Sequence, residues 1–157
     1  MDDFEAFFER HYGATVRAVS LAIGDSGRAE DLTQEAFARA FRRWSSVSKL
    51  ERPMAWVYVV ALNAERKRWR RDRQAPEREP RAGSVPDLAG GVLSTIVVRD
   101  ALDRLPARQR AAVVLRYLGD LTVSDIAEVM GCAEGTVKAT LHQALRNLKV
   151  DLDGSES

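Results

Sequence analysis

The chain of 157 residues contains one cysteine, Cys132, and two histidines, His11 and His142. A single thiol cannot close an internal disulfide, and no Cys/His cluster has metal-ligand spacing, so no metal and no cofactor are expected. No nucleophile–base pair and no phosphate-cradling glycine loop is visible, so no catalytic residue is assigned and the chain is not expected to be an enzyme. No apolar run approaches the roughly 18 residues that a membrane span requires. The start, MDDFEAFFER, is acidic and amphipathic, the reverse of a signal peptide's basic and then apolar layout. These absences predict a cytoplasmic protein with no membrane partner.

Net charge is nearly absent too, at +1, but the charges are segregated. Residues 1–40 carry Asp2, Asp3, Glu5, Glu9, Asp25, Glu30, Asp31 and Glu35 against Arg10, Arg17, Arg28 and Arg39. Residues 41–73 carry Arg42, Arg43, Lys49, Arg52, Arg66, Lys67, Arg68, Arg70, Arg71 and Arg73 against Glu51, Glu65 and Asp72. An anionic block beside a cationic one implies two partners, one of them a polyanion.

Residues 74–93 hold three of the five prolines and three of the ten glycines, which marks a linker between two domains, 1–73 and 94–150. Before it, Phe4, Phe7, Phe8, Tyr12, Val16, Val19 and Ile23 form one apolar stripe on a first helix that Gly24 ends. Asp25 or Ser26 caps a second helix, which buries Ala29, Leu32, Ala36, Phe37, Ala40, Phe41 and Trp44. A loop leads to Pro53, well placed in the first turn of a third helix. That helix is apolar nearly all round from Met54 to Leu62, so most of its sides must be covered. From Glu65 to Arg73 it turns almost wholly basic, with Trp69 expected to be exposed among the arginines.

After the linker, Leu93, Ile96, Val97 and Ala101 mark a further helix. Pro106 opens the next, whose inward face is Val113, Val114, Tyr117 and Leu118 and which Gly119 closes. Thr122, with Asp125 three residues on, resembles a capping box, and Gly131 ends that short helix. The last helix turns Val137, Leu141, Ala144, Leu145 and Leu148 inward. No segment alternates with period two, so the fold class is all-α, in two small helical domains.

A two-turn helix, a glycine turn and a longer helix have the layout of a helix-turn-helix. On the longer helix Gly135, Thr136, Ala139, His142, Gln143 and Arg146 lie opposite the apolar stripe, with Lys138 on the flank. Small residues admit the backbone to a major groove, Gln can reach base edges, and Lys and Arg can hold phosphates. The run ERKRWRRDR suits a second nucleic-acid contact, since phosphates relieve the crowded cations and release counterions. Trp56 and Trp69 are candidates for base stacking there.

The segments AEDLTQEAFARAFRRW (29–44) and RPMAWVYVVALNAERKRWRR (52–71) resemble region 2 of bacterial sigma factors, and residues 100–149 resemble region 4. With only a linker between them, the chain is similar to the small extracytoplasmic-function (ECF) group. The resemblance implies a promoter-specificity subunit that works with core RNA polymerase, promoter DNA and, in some members, an anti-sigma factor. It implies docking on the beta-prime clamp helices through Asp31, Gln34, Glu35, Arg39 and Arg42, with the beta flap as a further partner surface of the polymerase. Minus-10 recognition and strand opening would fall to Lys49, Arg52, Trp56, Asn63, Arg66, Lys67, Trp69, Arg70 and Arg71. Minus-35 recognition would fall to Thr136, Lys138, Ala139, His142, Gln143 and Arg146.

The chain departs from the family at Leu62 and Lys67, where an Arg and an Asp are usual, and at Ala133, Ala139 and Thr140, where Ser and a Ser-Arg pair are common. Losing a side-chain cap at Ala133 costs about 1 kcal/mol of helix stability, so a weak minus-35 contact is expected. Two other readings stay open on sequence alone. One is a dimeric repressor or activator with palindromic half-sites; the other is a sigma-like decoy that holds an anti-sigma factor.

Overall fold

The structure, a computed structural model, describes residues 2–74 and 99–156, and among these there is no strand. Helix α1 (Asp2–Ile23) stops where Gly24 takes φ +75°, a conformation open to glycine without a Cβ clash. The Gly24 N–H closes the last turn onto the Ser20 carbonyl at 2.8 Å. Asp25, not Ser26, is the cap of α2 (Ser26–Arg42): its side chain accepts from the Arg28 N–H at 3.0 Å. Ala29, Thr33, Ala36, Phe37 and Ala40 are buried at helical spacing, and the small size of most of them lets α1 and α2 lie close.

A one-turn helix, α3 (Trp44–Val47), carries the chain to Pro53, which opens α4 (Pro53–Leu62). The third helix expected from sequence is in fact two. A 3₁₀ turn at Asn63–Glu65 separates α4 from α5 (Arg66–Gln74). The tighter turn resets the angular register between the apolar and the basic segments. It coincides with the inward placement of Glu65, which is 2% exposed and ion-paired with Arg28.

In the second half, residues 99–103 are helical and Ala101 is buried, whereas Leu93, Ile96 and Val97 and the predicted linker lie outside the described residues apart from Gln74. Helix α6 (Ala107–Tyr117) follows Pro106, and its Val113, Val114 and Leu115 are fully covered. Gly119 is required there, because a Cβ would sit 2.8 Å from the Leu115 carbonyl oxygen. Helix α7 (Val123–Met130) has the predicted capping box: Thr122 Oγ1 accepts from the Asp125 N–H at 3.0 Å, and Asp125 Oδ2 accepts from the Thr122 N–H at 3.1 Å. Gly131, at φ +71°, ends α7, and α8 (Glu134–Glu156) follows.

The halves share one continuous apolar core, from Ala18 on α1 to Ala144 on α8. Helix α6 packs on α1 and α5, and α4 lies between α2 and α7. This explains why α4 is apolar nearly all round: each half covers one of its sides. Four side chains of the expected apolar stripes are instead exposed: Phe8 on α1, Phe41 on α2, Tyr117 on α6 and Leu145 on α8. Phe41 and Leu145 sit at the margins of stripes wider than the surfaces they meet, and Tyr117 lies at the end of its helix. Among the described residues no helix is long and apolar enough to cross a membrane.

Candidate nucleic-acid interface

On α2, Asp31, Gln34, Glu35, Arg39 and Arg42 are all exposed and follow helical spacing along one face. Gln34 Nε2 donates to Glu30 Oε1 at 3.3 Å. Glu35 Oε1 accepts from Arg39 Nε at 2.9 Å and lies 3.5 Å from Arg42 Nη2. The hydrogen bond from Arg39, with the charges of both guanidiniums, holds the Glu35 carboxyl below its ordinary pKa. The face is therefore mixed in charge, which suits a partner surface bearing both signs.

Beside it runs an apolar groove of about 430 Å³ lined by Phe4, Phe8, Tyr12, Phe37, Phe41 and Gln34. Its rings are in contact: Phe8 stacks on Tyr12 at 4.7 Å, and Phe4 meets Phe41 at 5.1 Å. Helical spacing assigns these aromatics to the core and gives no hint of a groove. The signal for it is the excess of large rings over the narrow seam that Ala29, Ala36 and Ala40 can hold.

The residues named for minus-10 recognition divide sharply. Lys49, Asn63, Lys67, Arg70 and Arg71 are exposed, and Trp56 is half-buried. Trp69, expected to be exposed, is only 3% so. Helix α5 packs on α6, and Trp69 joins Arg66, Arg70, Arg108, Met130, Gly131 and Cys132 around a cavity of about 100 Å³ between the halves. Two of the named arginines bond across that boundary. Arg52 ion-pairs with Asp125, the capping-box residue of α7, and its Nη2 donates to the Asp120 carbonyl at 3.3 Å. Arg66 donates to the Val129 carbonyl through Nε at 3.1 Å and to the Glu128 carbonyl through Nη2 at 2.6 Å. These carbonyls end α7, where cations are favoured by unpaired acceptors and the helix dipole.

Helix α8 presents most of the face expected to be open. Lys138, Ala139, His142 and Arg146 are exposed, while Thr136 and Gln143 are half-buried. Gln143 Nε2 reaches Asn147 Oδ1 at 3.5 Å, and Asn147 Nδ2 donates to Gln109 Oε1 at 2.7 Å, which ties α8 to α6. A Cβ at Gly135 would meet nothing within 4 Å, so the helix start is open to close approach. Ala133 precedes α8 and offers no side-chain cap; its carbonyl accepts from the Val137 N–H at 3.1 Å. The two helices and the left-handed Gly131 between them can place a solvent-facing helix in a major groove.

Comparison with known proteins agrees with this geometry. Residues 7–75 match the family Sigma-70 region 2, and residues 96–148 match Sigma-70, region 4. The chain is 32% identical over 154 residues to the ECF RNA polymerase sigma factor SigL of Mycobacterium tuberculosis, covering 94% of this chain and 87% of that protein. It is 33% identical over 146 residues to the ECF RNA polymerase sigma factor SigM of the same species, covering 92% and 74%. A solved structure of the sigma factor RpoE in complex with the anti-sigma factor NepR, from Bartonella quintana, is similar with a TM-score of 0.70 and 25% identity, over 98% of each chain.

Proposed function

This chain belongs to the ECF group of sigma-70 RNA polymerase sigma factors, and on that premise we propose how its surfaces divide the work of transcription initiation. Residues 1–73 act as the docking and minus-10 domain, 74–93 as a linker, and 94–150 as the minus-35 domain. The face of Asp31, Gln34, Glu35, Arg39 and Arg42 binds the beta-prime clamp helices of core polymerase, and the second domain meets the beta flap. Lys49, Arg52, Asn63, Arg66, Lys67, Arg70 and Arg71 hold the minus-10 strands, largely through phosphates, with Trp56 and Trp69 beside the unstacked bases. Thr136, Lys138, Ala139, His142, Gln143 and Arg146 face the minus-35 major groove.

No covalent step is asked of this chain. Unstacking a base costs a few kcal/mol, which cationic backbone contacts and a shaped pocket offset, while the polymerase carries out the chemistry in the cytoplasm. The observation that carries the reading is the charged, exposed face of α2 in the same chain as a capped helix-turn-helix. A dimeric repressor would have no use for such a face. The similarity to a sigma factor solved with an anti-sigma factor supports an anti-sigma partner here as well.

The docking assignment is tested by the double variant Asp31→Arg, Glu35→Arg, which should no longer co-purify with core polymerase. Undiminished retention of the variant would refute it.

A further inference from the structure

Three arginines converge on the cavity of about 100 Å³ where α5, α6 and the turn between α7 and α8 meet. Arg66 and Arg70 come from α5 and Arg108 from the first turn of α6, so the convergence is a product of the fold. Among the described residues that line the cavity there is no carboxylate; Trp69, Met130 and the Gly131–Cys132 turn complete the wall. Glu128 and Glu134, which flank that turn in sequence, line a different and more open cleft. Like charges held this close repel one another, and the apolar Trp69 and Met130 walls reduce the screening that water provides. An anion in the cavity relieves that repulsion.

Arg66 is already oriented. It donates to the Val129 and Glu128 carbonyls at 3.1 and 2.6 Å, which fixes the plane of its guanidinium. A guanidinium carries five N–H donors, so an arginine can hold such a partner and an anion together. Ordering a pre-set fork around a ligand costs little further entropy. Gly131 leaves the room for it, since a Cβ there would come within 3.2 Å of Arg66 Cδ and Nε. Volume sets the size of the ligand. A water's share of liquid volume is about 30 Å³, so the cavity takes a group of a few heavy atoms and not a nucleoside. Arg70 is exposed, which leaves the site a side open to solvent.

We infer that this cavity is a binding site for a phosphate group, held by Arg66, Arg70 and Arg108 together. Arg108 has no part in the promoter contacts assigned above, and it turns two cations of one helix into a site with walls on two helices and a turn. Planar arginine forks bond phosphate oxygens in pairs, which favours this anion over chloride. The same group reaches the cavity from two sources, a free phosphate or the backbone of a nucleic-acid strand.

The test titrates inorganic phosphate into the full-length chain by calorimetry, with chloride adjusted to hold ionic strength constant. Two variants outside the assigned promoter contacts accompany it, and circular dichroism shows whether each is folded. Arg108→Met removes one fork and keeps an apolar stem. Cys132→Asp supplies a carboxylate to the cavity in place of the ligand. The wild-type chain should bind a single phosphate saturably; Arg108→Met should weaken that binding about tenfold or more, and Cys132→Asp should abolish it. A random single-stranded 12-mer DNA identifies the source. If its affinity falls in both variants and phosphate competes with it, the site holds a strand phosphate. If its affinity is unchanged while phosphate binding falls, the site serves a free phosphate. Both results uphold the site. Absence of saturable phosphate binding by the wild-type chain would overturn it, and so would phosphate binding unaltered in the folded variants. If neither variant folds, thermal unfolding of the wild-type chain decides, because a ligand of the folded state alone raises the midpoint by mass action. A midpoint indifferent to phosphate at fixed ionic strength would overturn the site.

Discussion

The two surfaces assigned to promoter DNA differ in what covers them. Along α8 the face of Lys138, Ala139, His142 and Arg146 is open to solvent, and the helix is fixed from behind by Val137, Ala144 and the Asn147–Gln109 hydrogen bond. Along α4 and α5 the residues named for minus-10 contact are partly covered by α6 and α7, and two of their cations are engaged with them. One surface is set by its own helix, the other by a segment more than sixty residues away in sequence. The difference teaches that a cationic run is not by itself an exposed one.

The comparison is sharpened most by a pair of alanine substitutions. Trp69→Ala removes a large buried ring from the boundary between the halves and should cost about 3–5 kcal/mol of unfolding free energy. His142→Ala, on the open face of α8, should stay within about 0.5 kcal/mol. Urea denaturation measures both; equal effects would erase the distinction between the surfaces. Next in size is Gln143→Ala, expected to reduce discrimination at one minus-35 base pair by about 1–3 kcal/mol. Competitive binding to a duplex library reads this out, and equal weakening on every sequence would argue against base readout.

Replacing Arg70 and Arg71 by Ala should flatten the dependence of log affinity on log salt by about 0.7–0.9 for each phosphate that is no longer neutralised. An unchanged slope in promoter-complex formation would remove their phosphate role.

The smallest effect concerns His11, away from both surfaces. Burial first, and then the charge of Arg10, holds its imidazole below its ordinary pKa of about 6.5. The unfolded chain therefore binds a proton more readily, so stability should fall as pH drops through about 6.5 toward the folded value and be flat above it. His11→Gln should remove that slope from chemical unfolding curves measured between about pH 5 and 8.

What is legible in the sequence is what is local. Gly24, Asp25, Thr122 with Asp125, and Gly131 begin or end helices by bonds within a few residues, and the structure has each of them in that role. The exposure of Lys138, Ala139, His142 and Arg146 on α8 follows from one helix's periodicity and is present too, while Thr136 and Gln143 of the same face are half-buried. Sequence and structure part where a remote segment decides. Trp69 among arginines suggests exposure, but α6 and Met130 cover it. The break at Asn63–Glu65 has no Pro or Gly to announce it, and it accompanies the long-range pairing of Glu65 with Arg28. Conversely, the all-round apolarity of α4 predicts burial on most sides while leaving the covering elements unnamed; they are α2 and α7. Phe41 reads as core by spacing, yet it lines an open groove with Phe4 and Phe8.

The most direct measurement of the central claim is run-off transcription by purified core polymerase on a library of upstream sequences, with and without this chain. Initiation should concentrate on templates sharing a minus-35 and a minus-10 element at fixed spacing, and that preference should vanish with the Asp31→Arg, Glu35→Arg variant. Start sites that stay random when the wild-type chain is added would contradict the account, however tightly α8 binds duplex DNA.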